Sequence, residues 1–144
     1  MLRGMSNCPA VVAGDEIYLL GGYDRVEAHA TTQVYDPRKN SWRPGPPAPL
    51  PLSAHGAAAL DGRIYSFGDY ANQSTVLGLD LASGEWRSLS VPFTPRRHVR
   101  AVAVGDKIVV AGGNQSSLAP AVDALESFPL SVLENAYSQP LLTE

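Results

Sequence analysis

One cysteine, Cys8, stands in 144 residues, so neither an internal disulfide framework nor a cysteine-based zinc site can form. Long apolar runs are missing as well. No stretch approaches the roughly 18 apolar residues that span a bilayer, and Met1-Leu2-Arg3-Gly4-Met5 is not followed by the apolar run of a signal peptide. A reducing, cytoplasmic location is the resulting expectation. An excess of positive charge is also absent: 11 Lys and Arg stand against 14 Asp and Glu, for a net charge of -3. That balance gives no reason to expect nucleic acid as a partner. Nor do helix formers dominate. Thirteen glycines and twelve prolines punctuate short Val, Ile, Leu and Tyr runs, the pattern of an all-β chain.

What is present is repetition. The phrase Asp15-Glu16-Ile17-Tyr18-Leu19-Leu20-Gly21-Gly22 returns as Asp61-Gly62-Arg63-Ile64-Tyr65-Ser66-Phe67-Gly68-Asp69, and again as Gly105-Asp106-Lys107-Ile108-Val109-Val110-Ala111-Gly112-Gly113. Its central isoleucines are 47 and then 44 residues apart. A second phrase keeps the same period. Tyr35-Asp36 leads to Trp42 and Leu79-Asp80 leads to Trp86, with each tryptophan six residues after its aspartate. Correlated copies of this kind must be settled before any single motif is interpreted.

Each copy reads as four short strands. The first is small and apolar (Pro9–Ala13, Gly56–Leu60, Arg100–Val104), a composition that suits a strand covered on both faces. A two-residue turn follows. Gly14-Asp15 and Gly105-Asp106 fit type II′, and Asp61-Gly62 fits type I′. The isoleucine phrase is the second strand. After a polar loop, the third strand is expected over Thr31–Tyr35 and Ser74–Leu79. Asp36 and Asp80 then open a turn in which Asn40 or Gly84 can adopt left-handed φ. The fourth strand centres on Trp42 or Trp86, and proline-rich connectors lead onward. A four-stranded antiparallel sheet per roughly 40–50 residues is the signature of a β-propeller blade. In the third copy Leu125–Pro129 aligns with Thr32–Asp36, no tryptophan follows, and Ser131–Ser138 is as compatible with a short helix. The expected layout is a propeller segment over 1–129, in units of about 5–50, 51–94 and 95–129, followed by a tail over 130–144.

With the double glycine, the spaced aromatic and the tryptophan in place, the repeats resemble kelch repeats over roughly residues 5–128. The resemblance rests on Gly21, Gly22, Tyr35 and Trp42 in unit one. Unit two has Gly68, Leu79 and Trp86, with Asp69 in the second glycine's place, and unit three has Gly112, Gly113 and Phe128. Arg96 fits the family's arginine position and His55 its histidine position. The resemblance implies an all-β fold of kelch-type propeller blades, incomplete here and degenerate at its C-terminal end. Propellers close with about four to eight blades. The chain is therefore expected to be a piece of a longer propeller, a truncated product, or a protomer whose ring other chains complete.

It also implies a function. In kelch propellers the loops between second and third strands gather on one face that binds protein partners. Here that face would carry Tyr23, Asp24, Arg25, Tyr70, Asn72, Asn114 and Gln115, with Arg97 added by the connector. The plainer reading of any one of these is an ordinary solvated loop residue. Arg96-Arg97 could take up a carboxylate, which makes an acidic peptide a natural ligand. Of the two, Arg96 suits a framework role and Arg97 a contact. His29, His55 and His98 show no metal-ligand spacing, so no metal, cofactor or catalytic residue is expected. Asn72-Gln73-Ser74 and Asn114-Gln115-Ser116 match the glycosylation sequon, which is idle in the expected location. The family reading is a non-enzymatic interaction module, belonging to an adaptor or scaffold such as a ubiquitin-ligase substrate adaptor. The alternative is part of a kelch-propeller oxidase or sugar isomerase whose active-site residues lie elsewhere.

Overall fold

The computed structural model describes residues 1–139. Among them are eleven strands and one helix, arranged as three antiparallel sheets. Blade 1 is β1 (Ala10–Ala13), β2 (Glu16–Leu20), β3 (Thr32–Asp36) and β4 (Ser41–Pro44), paired in chain order. Blade 2 repeats this with β5 (Gly56–Leu60), β6 (Arg63–Phe67), β7 (Val76–Asp80) and β8 (Trp86–Ser88). Blade 3 has three strands: β9 (Arg100–Val104), β10 (Lys107–Ala111) and β11 (Leu125–Pro129). Helix α1 (Leu130–Ser138) follows at once. The third strands start one or two residues later than the sequence suggests, because the loops before them are closed by their own backbone hydrogen bonds. Of the expected tail 130–144, residues 140–144 lie outside the described residues.

Register is repeated from blade to blade. Ile17 faces Tyr35, Ile64 faces Leu79, and Ile108 faces Phe128. The hairpin turns behave as their residues require: Asp61 and Gly62 both have positive φ, whereas only the glycine does in Gly14-Asp15 and Gly105-Asp106. Asp36 and Asp80 each accept two backbone N–H groups across the following turn, from Arg38 and Lys39 and from Ala82 and Ser83.

The core lies between blades rather than within one. On one side of blade 2, Ala57, Ile64 and Leu79 pack against Val11, Tyr18, Leu20 and Val34 of blade 1. On its other side Ala58, Tyr65, Phe67 and Val76 pack against Val99, Ile108, Val110 and Phe128 of blade 3. Phe67 and Phe128 stack with centroids 5.0 Å apart. Each side chain buried this way contributes about 1.5–3 kcal/mol. Of the three first strands only β5, in the middle blade, is buried along most of its length. β1 and β9 expose Val12 (69%), Val102 (55%) and Val104 (49%). The expectation that every first strand is covered on both faces therefore fails for the two outer blades, each of which has a neighbour on one side only.

Helix α1 explains why the third tryptophan is missing. Between blades 1 and 2, Trp86 packs among the interblade side chains and its Nε1 donates to the Pro46 carbonyl at 3.0 Å. The matching space between blades 2 and 3 is filled by Leu133 and Tyr137 of α1. Tyr137 lies against Gly78 and Leu89, its hydroxyl donates to the Glu85 carbonyl at 3.0 Å, and its ring is flanked by the guanidinium groups of Arg63 and Arg87. The helix thus does the work of an outer strand and its indole. Tyr137→Ala is expected to destabilise the chain by about 3 kcal/mol, read as a lower urea midpoint. A change within 0.5 kcal/mol would contradict the wedge role.

Candidate functional site: the loop-bearing mouth

The loops after β2, β6 and β10 come together with the connectors before β1, β5 and β9. Two of these meetings are reciprocal backbone pairs, Ser6 with Tyr23 and Arg97 with Asn114. In the middle blade Tyr70 N–H donates to the Ser53 carbonyl at 2.9 Å. Tyr23, Tyr70 and Asn114 therefore occupy one repeated position. The connectors also link the blades laterally. Ala54 N–H donates to the Asn7 carbonyl at 2.9 Å, and His98 N–H donates to the Ala54 carbonyl at 2.6 Å. Asn7, Ala54 and His98 share φ values of 54°, 54° and 58°, rare for residues other than glycine. Repetition of this conformation at three matching positions marks it as part of the framework.

The glycine pairs hold this mouth together. A Cβ on Gly21 would meet the Leu52 carbonyl oxygen, and one on Gly68 would run into that of Arg96, so each glycine lets the next blade's connector lie against it. Asp69, in the place of the second glycine, does not use left-handed φ. Its carboxylate instead accepts N–H groups from Ser53, Ala71 and Asn72 at 2.8–3.0 Å, closing a shorter loop.

Arg96 is fully buried. Its guanidinium donates to the carbonyls of Gly112 and Thr94 at 2.7 and 2.8 Å and pairs with Glu126, while stacking on Phe93. Burial pushes the Glu126 carboxyl pKa up, but Arg96 and the N–H and hydroxyl of Thr94 outweigh it and hold it below the usual range. His55 is also buried, and neither ring nitrogen has a partner among the described residues. Burial pushes its pKa down to about 4, against a smaller upward pull from Asp69. It lines a cavity of about 370 Å³ on the inner edge of the blades, together with Asn7, Cys8, His98 and Arg100.

The anticipated contact residues divide into two groups. Arg25, Tyr70, Asn72 and Gln115 are exposed, and Tyr23 and Asn114 are half-buried. Tyr23 and Tyr70 border a groove of about 390 Å³ that also includes Pro51, Ser53, Asp69 and Asn72. Asp24 is occupied. It accepts from the N–H groups of Val26 and Glu27, and pairs with His29 and Arg3. These partners, the backbone donors first, hold its pKa well below the ordinary carboxylate range. Arg97 differs most from its expected role as an open contact. It is 7% exposed, its guanidinium lies 4.0 Å from the Tyr70 ring centroid, and Nη2 donates to Ser117. Its sequence neighbours Arg96 and His98 give no hint of this, because the residue that covers it comes from another blade. Among the described residues, no three His, Cys, Asp or Glu side chains are grouped as metal ligands, and no helix is long and apolar enough to cross a membrane.

With this geometry in view, comparison with known proteins is decisive for family. The kelch motif model matches residues 4–49. The repeats are kelch repeats, and the chain belongs to the kelch-repeat family. Kelch-like protein 35 of Mus musculus is 28% identical over 123 residues, covering 82% of this chain and 21% of that protein. Kelch domain-containing protein 3 of Homo sapiens is 30% identical over 153 aligned positions, covering 87% of this chain and 39% of that protein. Kelch repeat and BTB domain-containing protein 12 of Danio rerio is 37% identical over 76 residues, covering 44% of this chain and 12% of that protein. The chain thus spans well under half the length of these relatives. Gly21, Gly22, Gly68, Gly112 and Gly113, with Tyr35, Trp42 and Trp86, form the motif that the family resemblance names.

Two predictions test the framework of the kelch mouth. Arg96→Ala leaves Glu126 without its cation and should cost about 3 kcal/mol, measured by denaturant titration, whereas Arg25→Ala on the exposed loop should cost less than about 0.5 kcal/mol. His55 carries a depressed folded-state pKa, so the unfolded chain binds more protons between its ordinary value of 6.5 and about 4. Its contribution to stability is complete above pH 6.5 and declines as pH falls through that window, by about 3 kcal/mol in total. The melting temperature of the wild type should fall across this window more steeply than that of His55→Gln. Parallel pH profiles would show that the histidine takes up its proton alike in the folded and unfolded chain, and would contradict the depressed folded-state value.

Proposed function

We propose that this chain is a protein–protein interaction module whose contact surface is the loop-bearing mouth, with Tyr23, Arg25, Tyr70, Asn72, Asn114 and Gln115 as its outward groups. The observation that carries this reading is the groove between two tyrosines at matching repeat positions, Tyr23 and the half-exposed Tyr70. Tyrosines supply rigid contact area with a polar tip, which is why they recur at binding hot spots. Arg97 acts indirectly here: stacked beneath Tyr70, it fixes that ring and adds positive charge under it.

An acidic peptide segment is the partner this reading favours, through the exposed guanidinium of Arg25 and the positive charge of Arg97 beneath Tyr70. Asp24 and Asp69 are both engaged by hydrogen-bond donors, while Glu27 and Asp123 are exposed in the same set of loops and would repel an acidic segment that approached them. The parent role that suits such a surface is that of an adaptor or scaffold in the cytoplasm, of the kind that presents a substrate to a ubiquitin ligase. An adaptor also requires an assembly domain in its parent protein. Three sheets stand among the described residues, fewer than the roughly four at which propellers close, and this reading takes further blades, of a parent chain or of other copies, to complete the ring.

The test is selection of peptides from a displayed random library on the immobilised chain. Acidic, aromatic-containing sequences are expected, with binding that weakens as salt rises from about 0.05 to 0.5 M. Tyr70→Ala should reduce affinity at least tenfold, and Asp61→Ala, in the β5–β6 turn, should leave it unchanged. Selection of sequences without acidic bias, or full binding by both Tyr70→Ala and Tyr23→Ala, would overturn the proposal.

A further inference from the structure

The two ends of the blade array differ, and the difference is complementary. Blade 2 meets blade 1 through the row Ala59, Ile64, Leu79 and Trp86. The same row in blade 1 is Val12, Ile17, Tyr35 and Trp42, and no blade covers it among the described residues. Val12 is 69% exposed, while Tyr35 and Trp42 are half-buried and pack on each other, with ring centroids 4.9 Å apart. Blade 2 meets blade 3 through Ala58, Leu60, Tyr65 and Phe67. The matching positions in blade 3 are Val102, Val104, Val109 and Ala111, and two of these valines are about half exposed. The open face of blade 1 thus carries large rings, and that of blade 3 carries small aliphatic groups. Large against small is how packed faces interdigitate.

The mouth has matching open ends as well. The lateral ladder runs from the Asn7 carbonyl to Ala54 and from the Ala54 carbonyl to His98. It leaves Asn7 N–H at one end and the His98 carbonyl at the other, neither of them hydrogen-bonded among the described residues. The glycine seats agree. Gly21 lies against the Leu52 carbonyl and Gly68 against that of Arg96, but a Cβ on Gly112 would meet nothing within 4 Å. By repeat position, the residue that corresponds to Leu52 and Arg96 is Met5.

We propose that two copies of this chain dock head to tail, blade 3 of each against blade 1 of the other, and close one ring. Met5 of each copy then lies over Gly112 of its partner, and Asn7 N–H of each donates to the partner's His98 carbonyl. For the 144-residue chain by itself, ring size selects the number of copies. Propellers close with about four to eight blades, and six is the only multiple of three in that range. Each seam joins unlike faces, and such seams form a closed assembly only when their rotation returns to the start; with two copies the two seams are exchanged by a two-fold axis. Two copies around the channel axis satisfy that condition. The residues at the channel mouth, Asn7, His98 and Arg100, are then supplied twice.

Sedimentation velocity on the purified 144-residue chain tests this. The expected species has twice the 15.3 kDa chain mass at micromolar concentration. A stable monomer, or an open series of larger assemblies, would overturn the proposal. Gly112→Asn is the sharpest variant. Asparagine tolerates the local φ of +63°, and a Cβ at this position meets nothing within 4 Å in the chain's own fold. It should leave the strand circular dichroism intact and weaken association at least tenfold. Val12→Lys on the opposite face should do the same, with Val102→Lys as a second forward-face variant if Gly112→Asn does not fold. Loss of dimer on changing one face but not the other would indicate like-to-like pairing and sink the head-to-tail arrangement. Hydrogen exchange supplies an independent readout, since the Asn7 amide should be protected in the dimer and exchange freely in the variants. Because Tyr23 and Tyr70 lie away from both faces, failure of this proposal is read by mass and failure of peptide binding by affinity.

Discussion

A small twisted sheet that is apolar on both sides has no stable existence alone, and this constraint organises the whole chain. Each blade must find a neighbour on each side, so the hydrophobic core is divided into interblade layers instead of a single centre. The middle blade shows the satisfied state: Ile64 and Leu79 are buried toward one neighbour and Tyr65 and Phe67 toward the other, all with no exposure. The outer blades show what happens when one neighbour is missing. Their inward rows keep Tyr18, Leu20, Val34, Ile108, Val110 and Phe128 buried, while Val12, Val102 and Val104 are left in water on the other side.

Side-by-side packing of blades also dictates the backbone. Connectors must cross close to the glycine of the preceding blade, which explains why Gly21 and Gly68 have no room for a Cβ. The same crossing places Asn7, Ala54 and His98 in a left-handed conformation and spends their main-chain groups on lateral hydrogen bonds. Arg96 secures one crossing more firmly than backbone alone, since its guanidinium reaches carbonyls of its own connector and of the glycine seat. The cost of burying that charge is offset by Glu126 and by full use of its donors.

Much of this is legible in the sequence because it depends on local chemistry that recurs. The Asp-Gly and Gly-Asp pairs specify their turns, the isoleucine phrases specify register, and the aspartates that open the third-to-fourth-strand turns cap backbone N–H groups as their type suggests. The alignment of Phe128 with Tyr35 is correct to the residue, since both stand opposite the repeat isoleucine. What escapes the sequence is what depends on another blade. Arg97 reads as an open cation but is covered by Tyr70, which lies 27 residues earlier in the chain. Tyr137 stands outside the repeat register, so nothing in the period assigns it to the wedge that Trp86 fills one blade earlier. Asp69 looks like a tolerated replacement for glycine, yet it avoids positive φ and builds a different, shorter loop.

The separation between framework and free surface follows from how the polar groups are spent. At the mouth, every charged group that supports a crossing is already committed: Asp24 to its turn and to His29, Asp69 to three N–H groups, Arg96 to carbonyls and Glu126. Groups committed in this way can be changed only at the expense of the fold, and they have little left to offer a partner. The exposed side chains are those carried beyond the glycine seats by the loops, Arg25, Tyr70, Asn72 and Gln115 among them. Loop length differs at all three positions while the strands keep their register. A scaffold fixed by interblade packing therefore leaves one end free to vary, where the packing makes no demand.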